Sequence, residues 1–169
     1  MNTGRKHGQS ILGLKKISVA VTAALSFAAA TTYAGDCPAD KRVADGKGQK
    51  LSTAAGKDVT DEVLRSIDLE KESVAVKGRL FRLRRLEIKP GGVVPWHSHG
   101  IRPALIYIVS GTVTEYASTC AVPIVHKGGE ASSEARGTSH WWRNTGQETA
   151  VLIAADLFPV ADKKTEHMM

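Results

Sequence analysis

The stretch GGVVPWHSHGIRPALIYIVSG, residues 91–111, determines how the rest of the chain is interpreted. It carries two histidines one residue apart, His97 and His99, between a Pro-Gly-Gly turn signal and a short apolar run that ends at Gly111. In a β-strand, residues i and i+2 project from the same face. Two imidazoles side by side on one face can share a metal ion. The stretch therefore predicts part of a metal site on a strand.

The remainder of the chain from residue 74 has the pattern of an all-β protein. Short β-type runs separated by Gly and Pro cover residues 79–88, 93–99, 103–109, 112–117, 124–127, 139–144 and 150–158. Many short strands with frequent turn signals and almost no helical period are typical of an antiparallel sandwich or barrel. Upstream, residues 36–56 are rich in Lys, Asp, Gly and Ala and predict a flexible arm. The segment opening at Thr60 predicts one short helical turn, and residues 66–69 an edge strand.

Two motifs in this region resemble those of the cupin family. The first motif is matched by Gly91, His97, His99 and Gly111. The second is matched by Gly129, Gly137, His140 and Asn144, with Ala135 where proline is usual. The resemblance covers about residues 74–159. It implies a double-stranded β-helix, or jelly roll, with a divalent metal at the barrel mouth held by His97, His99 and His140. Fe(II), Mn(II), Ni(II) and Zn(II) all suit such a site.

The resemblance departs from the family at one ligand. The glutamate that usually completes the metal set falls at Ala104. Three-histidine cupins exist, thiol dioxygenases among them, and three neutral imidazoles leave open positions on the ion. If Ser110-Gly111 is a two-residue hairpin turn, and position 104 points into the barrel as the resemblance implies, Glu115 faces inward too, one cross-strand step from Ala104. A buried carboxylate needs a partner, which could be the metal, a histidine N–H or an arginine.

Further candidates surround this predicted site. In residues 80–88, one strand parity turns Arg82 and Arg84 inward, and the other turns Arg85 inward, so either way an arginine could hold an anionic substrate. Arg102 could meet a carboxylate at the barrel mouth and, with Glu115, is a candidate catalytic residue. Trp142 shares the face of His140 by parity and is, with Arg84, a candidate substrate contact.

The N-terminus has the pattern of a secretory signal peptide. A basic segment is followed by the apolar run ISVAVTAALSFAAA and by small residues at Thr32 and Ala34, which predicts a cut after Ala34. We expect a signal peptide at 1–34, an N-terminal arm or linker at 35–72, the cupin domain at 73–160 and a tail at 161–169. Export to a periplasm or beyond would permit a Cys37–Cys120 disulfide, although the sequence leaves open whether the two pair.

Charge and composition restrict the function. The formal charge is +6, but four of the 23 basic residues lie in the predicted signal peptide, so we do not expect nucleic-acid binding. No stable membrane anchor is expected after cleavage. The first hypothesis is an exported metal-dependent cupin enzyme, such as a small-molecule dioxygenase or related oxidoreductase. The alternative is a non-catalytic binding module whose metal is structural or serves recognition. A small-molecule ligand suits both, and a homodimer is plausible.

Overall fold

A computed structural model describes Met1 and residues 35–160. Apart from Met1, the predicted signal peptide and the predicted tail at 161–169 lie outside the described residues. In the described part, no helix is long and apolar enough to cross a membrane. After a single 3-10 turn (Ala39–Lys41), the regular elements of that part are strands. They are β1 (Lys57–Asp68), β2 (Arg79–Ser98), β3 (Ala104–Ser110), β4 (Thr112–Ala117), β5 (Ile124–Lys127), β6 (Ala131–Glu134), β7 (Ser139–Arg143) and β8 (Ala150–Pro159).

The strands form one antiparallel sheet that wraps into a barrel. The order of neighbours is β5-β4-β7-β2-β8-β3-β6, and β1 adds to β2 outside this path. The all-β jelly-roll prediction is confirmed by this architecture. Residues whose side chains point inward form the core: Leu86, Ile88, Ile108, Val113, Trp142, Ala150, Leu152 and Ala154. Burial of these apolar side chains stabilises the barrel around the predicted site.

Strand β2 is longer than the sequence predicted. The turn expected at residues 89–92 is wrong, because the strand runs through it. Lys57 on β1 pairs with Val93 and Val59 pairs with Ile88, so residues 89–92 form a bulge. Gly91 has a φ of 76°, which glycine adopts without strain. One continuous strand therefore pairs with β1 and β8 in its first half and with β7 in its second half.

The hairpin predicted at Ser110-Gly111 is also wrong. Strand β3 pairs with β6 and β8, whereas β4 pairs with β5 and β7. Between β3 and β4 the chain crosses from one part of the sheet to another. Gly111 has a φ of 82°, and a Cβ there would lie 2.7 Å from the Cα of Ala150, so only glycine fits.

The segment before residue 73 packs on the barrel. The helical turn predicted from Thr60 is wrong, since the range expected to be arm or linker contains the 12-residue strand β1. Cross-strand pairing with β2 outweighs the local helix signal. Nearer the N-terminus, Cys37 and Cys120 form a disulfide with their Cα atoms 5.8 Å apart. The backbone N–H of Val43 donates to the carbonyl of Thr119, and that of Gly48 to the carbonyl of Ser118. Residues 37–48 are thus fixed to the loop after β4 and do not form the flexible arm that the sequence predicted.

Candidate metal centre

Three histidines converge where β2 meets β7. His97 on β2 and His140 on β7 are cross-strand partners, and His99 follows directly after β2. The Nε2 atom of His140 lies 3.1 Å from that of His97 and 3.0 Å from that of His99. All three residues are at least nine-tenths buried. The spacing HxH places two imidazoles on one face of the strand, and register with β7 supplies the third.

The opposite nitrogen of each ring has a hydrogen-bond acceptor. Nδ1 of His97 donates to the carbonyl of Pro95 at 2.9 Å, and Nδ1 of His99 donates to the carbonyl of Arg102 at 2.8 Å. His140 Nδ1 donates to the Oε1 atom of Glu115 at 2.6 Å. These acceptors favour the tautomer that carries its proton on Nδ1, so three Nε2 lone pairs point at one another. Such an arrangement is repulsive unless a cation lies between the rings, and this donor set therefore fits a divalent metal.

Burial and charge tune the three imidazoles differently. Burial holds the pKa of His97 well below its ordinary value, and it lowers the pKa of His99 to about 3, with the charge of His140 adding to the shift. Both rings are therefore neutral at pH 7, as metal ligation requires. Burial also acts to lower the pKa of His140, but Glu134 and Glu115 outweigh it and raise that pKa. In the metal-free protein a proton on His140 thus competes with the ion.

Glu115 reaches the site by a different route from the predicted one. It lies opposite Trp142 on β7, one diagonal step from His140, and is 4% exposed. Its second oxygen, Oε2, accepts a hydrogen bond from Nε2 of His126 at 2.9 Å. Burial would raise the pKa of Glu115, but His126 and His140 outweigh it and hold the pKa at about 2. Of the three roles considered, the structure supports the hydrogen-bonded partner of a histidine.

Glu134 is the site residue that the sequence reasoning missed. It lies on β6 directly across from Ala104, the position of the absent glutamate. Its Oε2 atom is 3.2 Å from Nδ1 of His140, and Ser132 donates a hydrogen bond to its Oε1 atom at 2.9 Å. Burial raises the pKa of Glu134 to about 7. The strand ASSE has no large apolar side chain, so nothing in its pattern predicted an inward-facing carboxylate.

The ligand atoms of the three histidines form a cluster without a carboxylate. Among the described residues, the groups within 4.8 Å of one another are His97 with His99 and His140, and separately Glu115 with Glu134 and His140. The two glutamates contact the Nδ1 atom of His140, the residue that the two groups share. The histidine group offers a metal three nitrogens, and the second group offers one nitrogen and two carboxylate oxygens.

The arginines lie on the adjoining wall. Arg82 and Arg84 point inward, as the first of the two parities predicted, whereas Arg85 pairs with Glu87 on the other face. Arg82 makes two hydrogen bonds to Asp156, at 2.8 and 2.9 Å. Arg84 pairs with Asp61 at 2.5 Å and lies 3.5 Å from Asp156, and Arg102 lies 3.9 Å from Asp156.

A cavity of about 400 Å³ adjoins these groups. Its polar lining includes the three histidines, Asp61, Arg84, Arg102 and Glu134, and its apolar lining includes Leu86, Ile88, Val93, Val94, Ile106, Trp142 and Leu152. The indole of Trp142 stacks on His126 with ring centroids 4.6 Å apart and meets His140 edge-on at 5.7 Å. Both predicted substrate contacts, Arg84 and Trp142, therefore lie at the cavity, as does Arg102.

Comparison with known proteins identifies similar sequences and structures. The family model for the cupin domain matches residues 84–156. The germin-like protein 8-14 of Oryza sativa subsp. japonica is 32% identical over 84 residues, which make up 47% of this chain and 39% of that protein. The chain thus spans about two fifths of the length of the curated relative that it matches.

Solved structures with similar folds have low sequence identity. The Cnp3 cupin domain of Schizosaccharomyces pombe aligns with a TM-score of 0.48 and 16% identity, over 70% of this chain and 77% of that one. Recombinant oxalate oxidase in complex with glycolate aligns with a TM-score of 0.46 and 19% identity, over 65% of this chain and 56% of that one.

Proposed function

We propose that the chain is a metal-dependent member of the cupin superfamily that binds one divalent ion through His97, His99 and His140. The observation that carries the proposal is the convergence of three Nε2 atoms, with 3.0 and 3.1 Å between His140 and the other two. Fe(II), Mn(II), Ni(II) and Zn(II) are the candidate ions, because imidazole ligands suit all of them.

The cavity supports a chemical role for this ion over a purely structural one. Structural metal sites are closed by four protein ligands, whereas catalytic sites keep a position open. Here three histidines face a cavity of about 400 Å³ that can admit a small molecule. We infer a small-molecule dioxygenase or related oxidoreductase. When bound, the ion would supply Lewis-acid and redox chemistry to the substrate.

The protein's own residues would prepare the site in three ways. Glu115 holds the proton on Nδ1 of His140 and so keeps Nε2 free for the ion. Trp142, fixed between His126 and His140, forms part of an apolar wall that excludes water from the cavity. The guanidinium groups of Arg84 and Arg102 provide positive charge next to the histidines.

The proposal is tested by metal analysis followed by turnover. The purified protein is assayed for bound metal and then for oxygen uptake with candidate thiols, diketones and phenolics, beside an anaerobic control. We expect about one ion per chain, lost in His97→Ala and His140→Ala. A wild type without metal, and with unchanged stability in both variants, would remove the metal site. A fully loaded protein that never turns over would instead favour the non-catalytic binding module.

We also propose that the protein is exported and cut after Ala34, as the sequence predicts. The disulfide between Cys37 and Cys120 supports this, because such bonds persist in oxidising compartments. Intact-mass measurement on the periplasmic fraction should give a chain that starts at Gly35. A full-length mass in the cytoplasmic fraction would contradict the proposal.

The homodimer stays a prediction, supported by an apolar outer face. Leu83 and Leu105 both pair with Ala155 on β8, and Tyr107 lies two residues further along β3. Leu105 is 63% exposed and Tyr107 48%, which is high for large apolar side chains. Sedimentation should show a dimer that Leu105→Glu disrupts. A monomeric wild type at micromolar concentration would contradict it.

A further inference from the structure

Two arginines, Arg84 and Arg102, line the cavity beside the three histidines, and Arg82 lies next to them in the same ion-pair network. Three guanidinium groups, those of Arg82, Arg84 and Arg102, face two carboxylates, those of Asp61 and Asp156. All three arginines are more than 90% buried as residues. A buried charge is costly unless it is paired, so the arginine with the fewest hydrogen bonds inside the protein is the one that a ligand could best engage.

The three arginines differ in how fully their donors are used. Arg82 donates twice to Asp156 and lies with its Cζ atom 3.7 Å from the centre of the Phe158 ring. Arg84 donates to Asp61 at 2.5 Å. The guanidinium of Arg102 makes no hydrogen bond to any described residue, since its partner Asp156 is 3.9 Å away. Arg102 is therefore the arginine whose donors are available to a ligand.

Arg102 is also tied to the metal centre. Its carbonyl accepts the hydrogen bond from Nδ1 of His99, and its side chain lines the same cavity as the three histidines. Burial and the nearby charge of Arg84 lower the pKa of Arg102, against the opposing effect of Asp156. An anion in the cavity could meet the guanidinium and the ion together.

The apolar part of the lining defines the body of the ligand. Nine apolar side chains line the cavity, among them Leu86, Ile106 and Trp142. These side chains offer almost no partner for the hydroxyl groups of a sugar. The planar fork of a guanidinium matches the two oxygens of a carboxylate.

We propose that the cavity takes a small carboxylate with an apolar body, and that Arg102 anchors the carboxylate group. The inference rests on the proposed function only for the ion that completes the site. Arg84 has a lesser role, because it is engaged by Asp61, and Trp142 contacts the apolar body.

Calorimetry with three simple carboxylates tests this assignment. Benzoate, phenylacetate and 3-methylbutanoate are titrated into metal-loaded and metal-free protein, with benzamide as the neutral counterpart of benzoate. We expect at least one carboxylate to bind, and benzoate to bind more tightly than benzamide. In Arg102→Gln the Kd of the bound carboxylate should rise about ten- to hundredfold, because a charge-assisted hydrogen bond is lost. In Arg102→Lys, which keeps the charge but loses the planar fork, the Kd should lie between those of the wild type and Arg102→Gln.

The matched control is Arg85→Gln, which alters an arginine of β2 that pairs with Glu87 on the outer face. It should leave the Kd unchanged. Metal content should be unchanged in Arg102→Gln, because His99 contacts only the backbone carbonyl of that residue. Absence of binding by all three carboxylates, or an equal Kd in wild type and Arg102→Gln, would overturn the inference. A wild type that binds carboxylate through Arg102 but never binds metal would instead refute the proposed function alone.

Discussion

Replacing Glu115 by Gln is the most direct test of how the metal site is held. The carboxylate accepts hydrogen bonds from Nδ1 of His140 at 2.6 Å and from Nε2 of His126 at 2.9 Å. The substitution keeps the size of the side chain and removes its charge. Loss of a hydrogen-bonded partner behind a metal-ligating histidine typically lowers metal affinity about 10- to 100-fold. We expect the lower end, about tenfold, because the amide oxygen can still accept from His140.

The effect should depend on pH in a defined direction. In the wild type, Glu134 and Glu115 raise the pKa of His140, so a proton competes with the ion as the pH falls. Without the Glu115 charge this competition weakens. The affinity difference between wild type and Glu115→Gln should therefore be largest at alkaline pH and shrink toward acidic pH.

Zinc titration against a competing chelator, from pH 6 to 9, measures both quantities. Glu62→Gln is the control, since Glu62 is an exposed glutamate on β1 away from the histidines. Thermal unfolding of each metal-free variant separates lost affinity from lost folding. If Glu115→Gln binds zinc as tightly as the wild type at pH 9, the argument that Glu115 positions His140 is refuted.

Three further predictions concern stability. Reducing the Cys37–Cys120 disulfide, which joins residues 83 apart in sequence, should destabilise the protein by about 2–5 kcal/mol, seen as a lower Tm with dithiothreitol; an unchanged Tm would contradict it. Because burial raises the pKa of Glu134 to about 7, the folded state holds that proton more tightly than the unfolded state. The unfolding free energy of the metal-free protein should therefore fall by up to about 3 kcal/mol as the pH rises from about 4.5 to 7. Urea titrations at each pH measure this dependence, and Glu134→Gln should make the unfolding free energy depend less on pH. Gly111→Ala should cost more in Tm than Gly129→Ala: both have positive φ, but a Cβ at Gly111 meets backbone at 2.7 Å and one at Gly129 meets nothing within 4 Å. Equal losses would show that the close contact does not matter.

The metal ligands were predictable because their signal is local. His97 and His99 are two residues apart, so one strand places both rings on the same face. His140 came from the motif spacing and not from any rule of strand geometry. Its register with His97 is a property of the β2–β7 pair, which lie 43 residues apart at that point.

Glu115 shows how a prediction can be correct for the wrong reason. The expected hairpin does not exist, since β3 and β4 pair with different strands. Its inward direction depends on alternation along β4, where Val113, Glu115 and Ala117 are all buried. Alternation survives a change of partner, whereas register does not.

Residues that depend on long-range pairing were missed. Asp61, the partner of Arg84, was assigned to a helical turn because Thr-Asp-Glu is a local capping pattern. Glu134 lies in a strand of small polar residues, and the pairing of that strand with β3 places it across from Ala104 at the site. Neither pairing can be recognised from the local sequence, so no single-sequence pattern could have predicted that these two carboxylates lie at the site.

The missing glutamate and the available arginine have one physical explanation. Ala104 lies between Glu134 on β6 and Asp156 on β8, its two cross-strand partners. A glutamate at 104 would place a third carboxylate between them and would also cancel part of the charge of a bound ion. With alanine there, three neutral imidazoles leave the ion its full charge, and Arg102 adds another positive group in the same cavity. The carboxylate of the proposed ligand would be a counter-charge to both, which links the absence of a carboxylate at position 104 to its presence in that ligand.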